Sequence, residues 1–132
     1  MPAYFLNYLF YKKECSMNLL TKSDFDILKI AEPIWEVIVK GANEKSWDLF
    51  SKYMPESDKT DDVKKEIEKQ WEQDSLLTSL TDKKEFVGIL RRKDSVLVLW
   101  KQWSSKEEGE FLGMLNLQSM GSEVKSIGMF VS

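Results

Sequence analysis

The sequence predicts an α+β domain, with helices in its N-terminal half and an antiparallel sheet in its C-terminal half. Before Glu85, apolar residues recur at three- and four-residue spacing, which is typical of amphipathic helices. After Glu85 they alternate with polar residues, which is typical of strands. The strands are joined by short connections, which favour an antiparallel meander. Because the helices precede the strands and do not alternate with them, the pattern favours α+β over α/β.

Capping residues and apolar stripes predict three helices. Ser23 is expected to cap the first helix, Pro33 to kink or restart it, and Gly41 to end it. Asn43 is expected to cap a second helix and Thr60 a third. The inward positions are Phe25, Leu28, Ala31, Trp35 and Ile38 in the first helix, Trp47, Phe50 and Met54 in the second, and Val63, Ile67 and Trp71 in the third.

Four strands are predicted from the alternating pattern and from the turn residues between them. The stretch from Asp74 to Lys84 either extends the third helix or begins a strand, because its leucines fit both patterns. The four strands are Phe86–Arg92, Ser95–Trp103, Glu110–Gln118 and Glu123–Val131.

One face of this sheet is almost free of charge if every connection closes as a simple hairpin, and it is expected to pack on the helices. In that register Gly113 and Gly128 lie side by side, next to Trp100. The missing side chains either leave a hollow for a small apolar ligand, or let the sheet bend or make room for Trp35 or Trp71. The candidate ligand-binding residues are Trp100, Gly113, Gly128, Trp35, Trp71 and Tyr53, whose hydroxyl would point into the mouth of the hollow.

The opposite face is apolar too, although an antiparallel sheet with one free face usually presents polar residues to water. An apolar face of this size predicts a partner, and pairing of two such sheets in a homodimer is the simplest solution. The alternative is that the aromatic run Pro2–Tyr11 folds back over it. The candidate dimer residues are Leu97, Leu99, Leu112, Met114, Ile127 and Met129.

Residues 1–21 are interpreted as an N-terminal extension, and residues 22–132 as a single domain. The run Pro2–Tyr11 is shorter than the roughly 20 residues that cross a bilayer, so no membrane association is expected. Positive charges follow the run, whereas in a signal peptide they precede it. Either Met17 is the biological start and the preceding segment is dispensable, or this segment covers an apolar surface of the domain.

Composition excludes several kinds of chemistry. The 132 residues include no histidine, which removes histidine-assisted nucleophiles and histidine zinc sites. No cluster of metal ligands and no glycine-rich phosphate loop occurs, so neither a metal nor a cofactor is expected. A net charge of −3 without a long basic block argues against nucleic-acid binding. The single Cys15 cannot form an intrachain disulfide, which fits a cytoplasmic setting.

Several segments resemble the nuclear transport factor 2-like superfamily. They are Asn-Glu-Lys-Ser-Trp-Asp-Leu-Phe-Ser-Lys-Tyr-Met at 43–54, Glu-Phe-Val-Gly-Ile-Leu at 85–90, Val-Leu-Val-Leu-Trp-Lys at 96–101, Gly-Glu-Phe-Leu-Gly-Met-Leu-Asn-Leu at 109–117 and Val-Lys-Ser-Ile-Gly-Met-Phe at 124–130. The likeness spans residues 22–132 and lies in architecture and rhythm. It implies a cystatin-like cone, with a curved sheet, a pocket between helices and sheet, and commonly a homodimer packed through the sheets.

The resemblance leaves two classes of function open. Isomerases, dehydratases and cyclases of this superfamily place an Asp or a His–Asp pair in the pocket, whereas this chain has no histidine and no carboxylate on its predicted inner face. No catalytic residue is therefore carried over. A non-catalytic homodimer that binds a small apolar ligand or a protein partner is favoured, and an enzyme acting on a small apolar substrate without histidine is the alternative.

Overall fold

The computed structural model describes residues 18–132 and confirms an α+β domain, in which three helices pack against a four-stranded antiparallel sheet. The predictions for the run Pro2–Tyr11 and for Cys15 lie outside the described residues. Within residues 18–132, no helix is both long enough and apolar enough to cross a membrane.

Helix α1, Asp24–Asn43, begins as its sequence predicts and ends later than expected. Ser23 caps it, its Oγ accepting a hydrogen bond of 3.1 Å from the Asp26 N–H. The helix runs through Pro33 without a restart and passes Gly41. Gly41 is required there because a Cβ atom would lie 2.5 Å from the Phe50 backbone nitrogen. The glycine therefore allows the close approach of a second helix and does not end the first.

A Schellman motif at Lys45 ends helix α1. Lys45 has a positive φ of 53° and donates its N–H to the Ala42 carbonyl over 3.1 Å. The Ser46 N–H donates to the Gly41 carbonyl over 2.8 Å. These two bonds satisfy carbonyl groups that the last helical turn leaves unpaired.

The N-cap of the third helix was predicted correctly, whereas that of the second was not. Helix α2, Trp47–Phe50, is a single turn whose N-cap is Ser46. Asn43 is not its cap, because the Asn43 side chain instead donates to the Leu80 carbonyl over 2.9 Å. Helix α3, Asp61–Gln73, is capped by Thr60 as predicted, and the Thr60 hydroxyl accepts from the Val63 N–H.

The sheet has the order β1-β2-β3-β4, with every neighbouring pair antiparallel, as the meander predicted. The stretch from Asp74 to Lys84, which fitted both a helix and a strand, forms a 3₁₀ turn, Ser75–Thr78, and the first strand begins after Ser79. The strands are β1, Leu80–Arg91, β2, Val96–Ser104, β3, Phe111–Met120, and β4, Glu123–Val131.

The core lies between helix α1 and the inner face of β2 and β3. Leu19, inside the segment interpreted as an extension, is buried in it. Phe25 is 68% exposed, contrary to expectation. It lies two positions, or about 200° of helix rotation, from the buried Ile27, so it projects from the other side of the helix. The sheet contributes Val96, Val98, Trp100, Leu115 and Leu117, all with 0% exposure.

A β-bulge in β4 corrects the predicted register. Asn116 pairs with Gly128, but Leu117 pairs with Ser126, which leaves Ile127 as the extra residue. From this point the residues of β4 change faces. Met129, predicted on the outer face, packs against the core, whereas Gly128 moves to the outer register.

A second irregularity lies in β1, between Phe86 and Gly88. Phe86 pairs with Trp100, and Gly88 pairs with the next residue of β2, so Val87 is the extra residue. Both bulges lie in edge strands, where such irregularities are common.

Candidate functional site

Two tryptophans fill the space beside Gly113, where the sequence was compatible with a ligand-binding hollow. Trp35 of α1 stacks on Trp100 of β2, with ring centroids 5.0 Å apart and ring planes 26° apart. Gly113 pairs with Trp100, and a Cβ atom at Gly113 would lie 2.7 Å from Trp35 Cζ2. Gly113 therefore makes room for the Trp35 indole, which was one of the two interpretations of this glycine. Its neighbour on β4 is Val131, not Gly128, because of the bulge.

Gln102 is a buried polar residue that sequence reasoning missed. It is 1% exposed, and its Oε1 accepts a 2.6 Å hydrogen bond from the Trp35 indole N–H. Its Nε2 donates to the carbonyls of Lys83, over 3.1 Å, and Thr81, over 3.4 Å. These carbonyls lie where the β1 register shifts between Leu80 and Lys84. Two-residue alternation from Trp100 would have placed Gln102 on the inner face.

A charged cluster lies beside this tryptophan–glutamine pair. Lys84 Nζ is 3.1 Å from a Glu32 carboxylate oxygen and 3.4 Å from one of Glu36. Burial lowers the pKa of Lys84, but the hydrogen bonds and charges of Glu32 and Glu36 outweigh it, so the pKa is raised. The cluster borders an open cleft of about 530 Å³. Since Lys84 already has two carboxylate partners, we interpret the cluster as structural.

Two small adjoining cavities lie between the helices and β4, away from the tryptophan pair. The larger has a volume of about 120 Å³, and Gly128 and the 5%-exposed Ser126 are part of its lining. The smaller has a volume of about 40 Å³ and is bordered by Trp71. The residues shared by both linings are Phe50, Ile67 and Met129. This part of the interior is therefore incompletely filled.

The six candidate ligand-binding residues are divided among three places. Trp35, Trp100 and Gly113 are in mutual contact and leave no hollow between them. Gly128 and Trp71 border the two small cavities. Tyr53 is half-buried in a separate surface groove. Its backbone carbonyl accepts a hydrogen bond from the N–H of Ser126 on the edge strand β4.

The outer face of the sheet is largely apolar. Leu99 pairs with Gly88 on one side and with Met114 on the other, and Met114 pairs with Phe130. Phe130 is 54% exposed, and its ring lies over Gly128, where a Cβ atom would come within 2.8 Å of Phe130 Cε2. Six apolar residues in and around this row form what we call the outer patch: Leu90, Leu97, Leu99, Leu112, Met114 and Phe130.

The outer face differs from the predicted one at two positions. Leu97, Leu99, Leu112 and Met114 lie on the outer face, as expected. Met129 faces the core, and Ile127 is the extra residue of the bulge and lines the larger cavity. Phe130 takes the outer position instead, because the bulge exchanges the two faces.

Several polar residues also lie on this face, and Gln118 pairs there with Lys125 in the outer register. Lys101 lies toward one end, 3.1 Å from Glu110 and 4.0 Å from Glu85. The hydrogen bond and charge of Glu110 raise the pKa of Lys101. In the middle of the face, the Oδ1 atom of Asn116 is buried and has no hydrogen-bond partner in the described part of the chain.

Acid–base and metal chemistry find little support in residues 18–132. No Asp or Glu in this range is buried, and the carboxylate that borders the larger cavity, Asp58, is exposed. Nor do three or more of the described His, Cys, Asp and Glu residues cluster in a way that could hold a metal ion.

The fold and these surfaces define an α+β domain whose sheet is apolar on both faces. Comparison of the chain with protein-family models, with curated proteins and with solved structures finds no match.

Proposed function

We propose that the protein is a non-catalytic assembly domain that forms a homodimer through the outer patch. The observation that carries the proposal is the continuous apolar row Leu99–Met114–Phe130, which crosses three strands of the sheet. Burial of apolar surface is the main driving force of most protein association. Phe130 alone is 54% exposed in the single chain, so it would bury much of its ring on pairing.

The size of the face suits an interface between two identical chains. Four strands about 4.8 Å apart, with about nine residues each at about 3.3 Å, give a flat footprint of roughly 570 Å². A standard interface buries about 800 Å² on each partner, and relief from side chains raises the contact area above the flat footprint. This footprint includes the polar residues of the face, so the outer patch itself is smaller.

Polar groups on the face are compatible with self-pairing. In an isologous dimer both copies present the same surface, so that surface must complement itself. Lys101 carries its own carboxylate partners, Glu85 and Glu110, and so offers both signs of charge to a second copy.

The proposal also includes a fold type and a cellular location. We infer a cone of the nuclear transport factor 2-like type, located in the cytoplasm, on the strength of the sequence resemblance, the helices-then-sheet order and the absence of a cysteine pair. The absence of buried carboxylates among residues 18–132 supports a non-catalytic domain over the isomerase, dehydratase or cyclase alternative.

Sedimentation velocity of the full chain tests the proposal. We expect a dimer at micromolar concentration, and we expect Phe130→Lys to weaken dimerisation at least tenfold, because a charge would enter an apolar interface. Phe25→Lys is the matched control, since Phe25 is an exposed aromatic residue on helix α1 and should not affect assembly.

A chain lacking residues 1–16 tests whether a second copy of the protein or the N-terminal segment covers the outer patch. A dimer of both the full and the shortened chain supports the proposal. A monomeric full chain overturns it. If the shortened chain then dimerises, the N-terminal segment is the part that covers the patch.

A second candidate function rests on the larger cavity. Its volume of about 120 Å³ approaches that of the engineered 150 Å³ cavity that binds benzene, and Ser126 supplies one buried hydroxyl. We propose that it accepts a small apolar ligand with one hydrogen-bonding group. Phenol is a suitable probe in calorimetry, and Ile67→Trp should abolish binding by filling the space. Absence of phenol binding at millimolar concentration would remove this candidate.

A further inference from the structure

A groove with a basic rim and an apolar floor lies on the helical side of the molecule, away from the outer patch. It runs between the middle of α1, the residues after α2, and the beginning of β4, and its volume is about 460 Å³. Its lining includes Lys29 and Pro33 from α1, Lys52 and Tyr53 after α2, and Lys125 from β4. We propose that this groove binds an acidic peptide segment of a protein partner.

The charge of the groove opposes that of the whole chain. Its lining holds three lysines against one glutamate, although the chain carries a net charge of −3. The glutamate, Glu123, is already 3.0 Å from Lys125 Nζ. Lys29 and Lys52 are exposed and have no carboxylate within 4.0 Å among residues 18–132. Within the described residues neither ammonium group is paired with a carboxylate, although Lys29 Nζ lies 5.2 Å from the centroid of the Phe25 ring.

Lys125 lies near two carboxylates, those of Glu123 and Glu56, so its own charge is locally compensated. The Lys125 side chain is 19% exposed, although lysines are mostly exposed. Glu56, just outside the groove lining, has a lowered pKa, chiefly because it accepts a hydrogen bond from Lys59 and to a smaller extent because Lys125 is near. Glu56 and Lys59 pair with each other at 2.9 Å, so they leave the excess positive charge of the groove unchanged.

The floor of the groove is apolar. Ile30 and Val124 are half-buried and pack against the core, and Ile34 beneath them is 4% exposed. The Tyr53 ring adds an aromatic surface, with Lys52 Nζ 5.4 Å from its centroid. A ligand with only charges would leave this floor unused. An apolar side chain flanked by carboxylates would contact both parts of the groove.

Pro33 adds a feature that favours a peptide. Proline has no N–H, so the helical hydrogen bond that residue 33 would otherwise give to the Lys29 carbonyl is absent. Pro33 is exposed, and both Lys29 and Pro33 line the groove. The Lys29 carbonyl therefore lacks its usual helical donor, and we propose that a backbone N–H of the bound peptide supplies one.

Nucleic acid fits the same groove less well. Single strands are usually bound by a groove that follows several phosphates, together with aromatic rings on which bases stack. This lining has three lysines, no arginine and one aromatic ring, and the net negative charge of the chain opposes the approach of a long polyanion. Spaced carboxylates with an apolar anchor match it better.

Selection from a displayed library of random 12-residue peptides, using the full chain as target, tests the proposal. We expect the enriched peptides to combine several Asp or Glu residues with an apolar residue. Fluorescence anisotropy of the best synthetic peptide at low salt should show a micromolar Kd that weakens several-fold between 50 and 300 mM salt, as screening predicts.

Charge variants locate the binding site. Lys29→Glu with Lys52→Glu and Lys125→Glu should weaken binding of that peptide at least tenfold. The matched control reverses three exposed lysines elsewhere, Lys65, Lys69 and Lys106, and should stay within twofold of the native chain. If the triple groove variant does not fold, Lys29→Gln with Lys52→Gln changes only exposed positions and should still weaken binding about threefold.

Three results would overturn the proposal. The first is a selection that yields no peptide binding more tightly than about 100 µM. The second is an enriched peptide that binds the groove variants as well as it binds the native chain. The third is a single-stranded 12-nucleotide oligonucleotide that binds more tightly than the peptide and loses its affinity in the groove variants. That third result would assign the groove to nucleic acid.

Discussion

The Trp35 indole N–H donates to Gln102 Oε1 over 2.6 Å, and this bond joins helix α1 to strand β2 across 67 positions of the chain. Both residues are 1% exposed. Gln102 also bonds two carbonyls of β1, so a single side chain ties the helix, the second strand and the irregular start of the first strand together. Because both side chains are buried, removing one partner would leave a buried polar group of the other unpaired.

Gln102→Met should destabilise the fold by about 2–3 kcal/mol, because it leaves the Trp35 N–H and the β1 carbonyls without partners while nearly preserving side-chain volume. Urea unfolding followed by circular dichroism measures the loss. In a double-mutant cycle with Trp35→Phe, the combined loss should be smaller than the sum of the single losses. A loss below about 0.5 kcal/mol for Gln102→Met would contradict the role assigned to this network.

Gly113→Ala should destabilise the domain by about 1–3 kcal/mol, because the added Cβ atom would lie 2.7 Å from the Trp35 ring in a packed core. Gly88→Ala is the matched control in the same sheet, since a Cβ atom there meets nothing within 4 Å. Thermal and urea unfolding should show a large loss for the first variant and a change within about 0.5 kcal/mol for the second. Equal effects would mean that Trp35 does not occupy the space above Gly113.

Lys84→Met should remove a stabilising contribution of about 1 kcal/mol at neutral pH. It also leaves Glu32 and Glu36, one helical turn apart, to repel each other. Because the folded-state pKa of Lys84 is raised, this contribution is complete below the unfolded-state value of about 10.4 and is lost as the pH rises through the folded-state pKa.

Free energies of unfolding of the native chain and of Lys84→Met, measured at pH 7, 9 and 11, test this. The difference between them should be constant from pH 7 to 9 and smaller at pH 11. Lys65→Met, at an exposed position, should match the native chain at each pH. A difference that grew with pH would refute the assignment.

Lys45→Gly should stabilise the protein by up to about 1 kcal/mol, which is the opposite direction from most substitutions. Lys45 has a φ of 53°, a conformation that glycine adopts without the steric cost borne by other residues. The lost pair with Glu72, at 3.1 Å, is exposed and offsets little of this gain. Differential scanning calorimetry should show a higher Tm for the variant. A lower Tm would contradict the prediction, because it would mean that the positive φ of Lys45 costs the native protein little.

The candidate sites were predictable to different degrees. The outer patch followed from two-residue alternation, and four of its six predicted members, Leu97, Leu99, Leu112 and Met114, are in place. The basic groove was not visible in the sequence, because Lys29, Lys52 and Lys125 are far apart in the chain and meet only after folding. Alternation placed Gln102 inside the sheet, but its bond to Trp35 needs a partner 67 positions away.

The sequence by itself determined the order of helices and strands, the caps Ser23 and Thr60, and the antiparallel meander. These features depend on periodicity and on hydrogen bonds between residues a few positions apart. Tertiary structure alone decided that Ile127 bulges, which exchanged Met129 and Phe130 between the faces. It also decided that Trp35 fills the space above Gly113. These outcomes depend on how side chains that are distant in the sequence pack together in the core, and local sequence patterns do not contain that information.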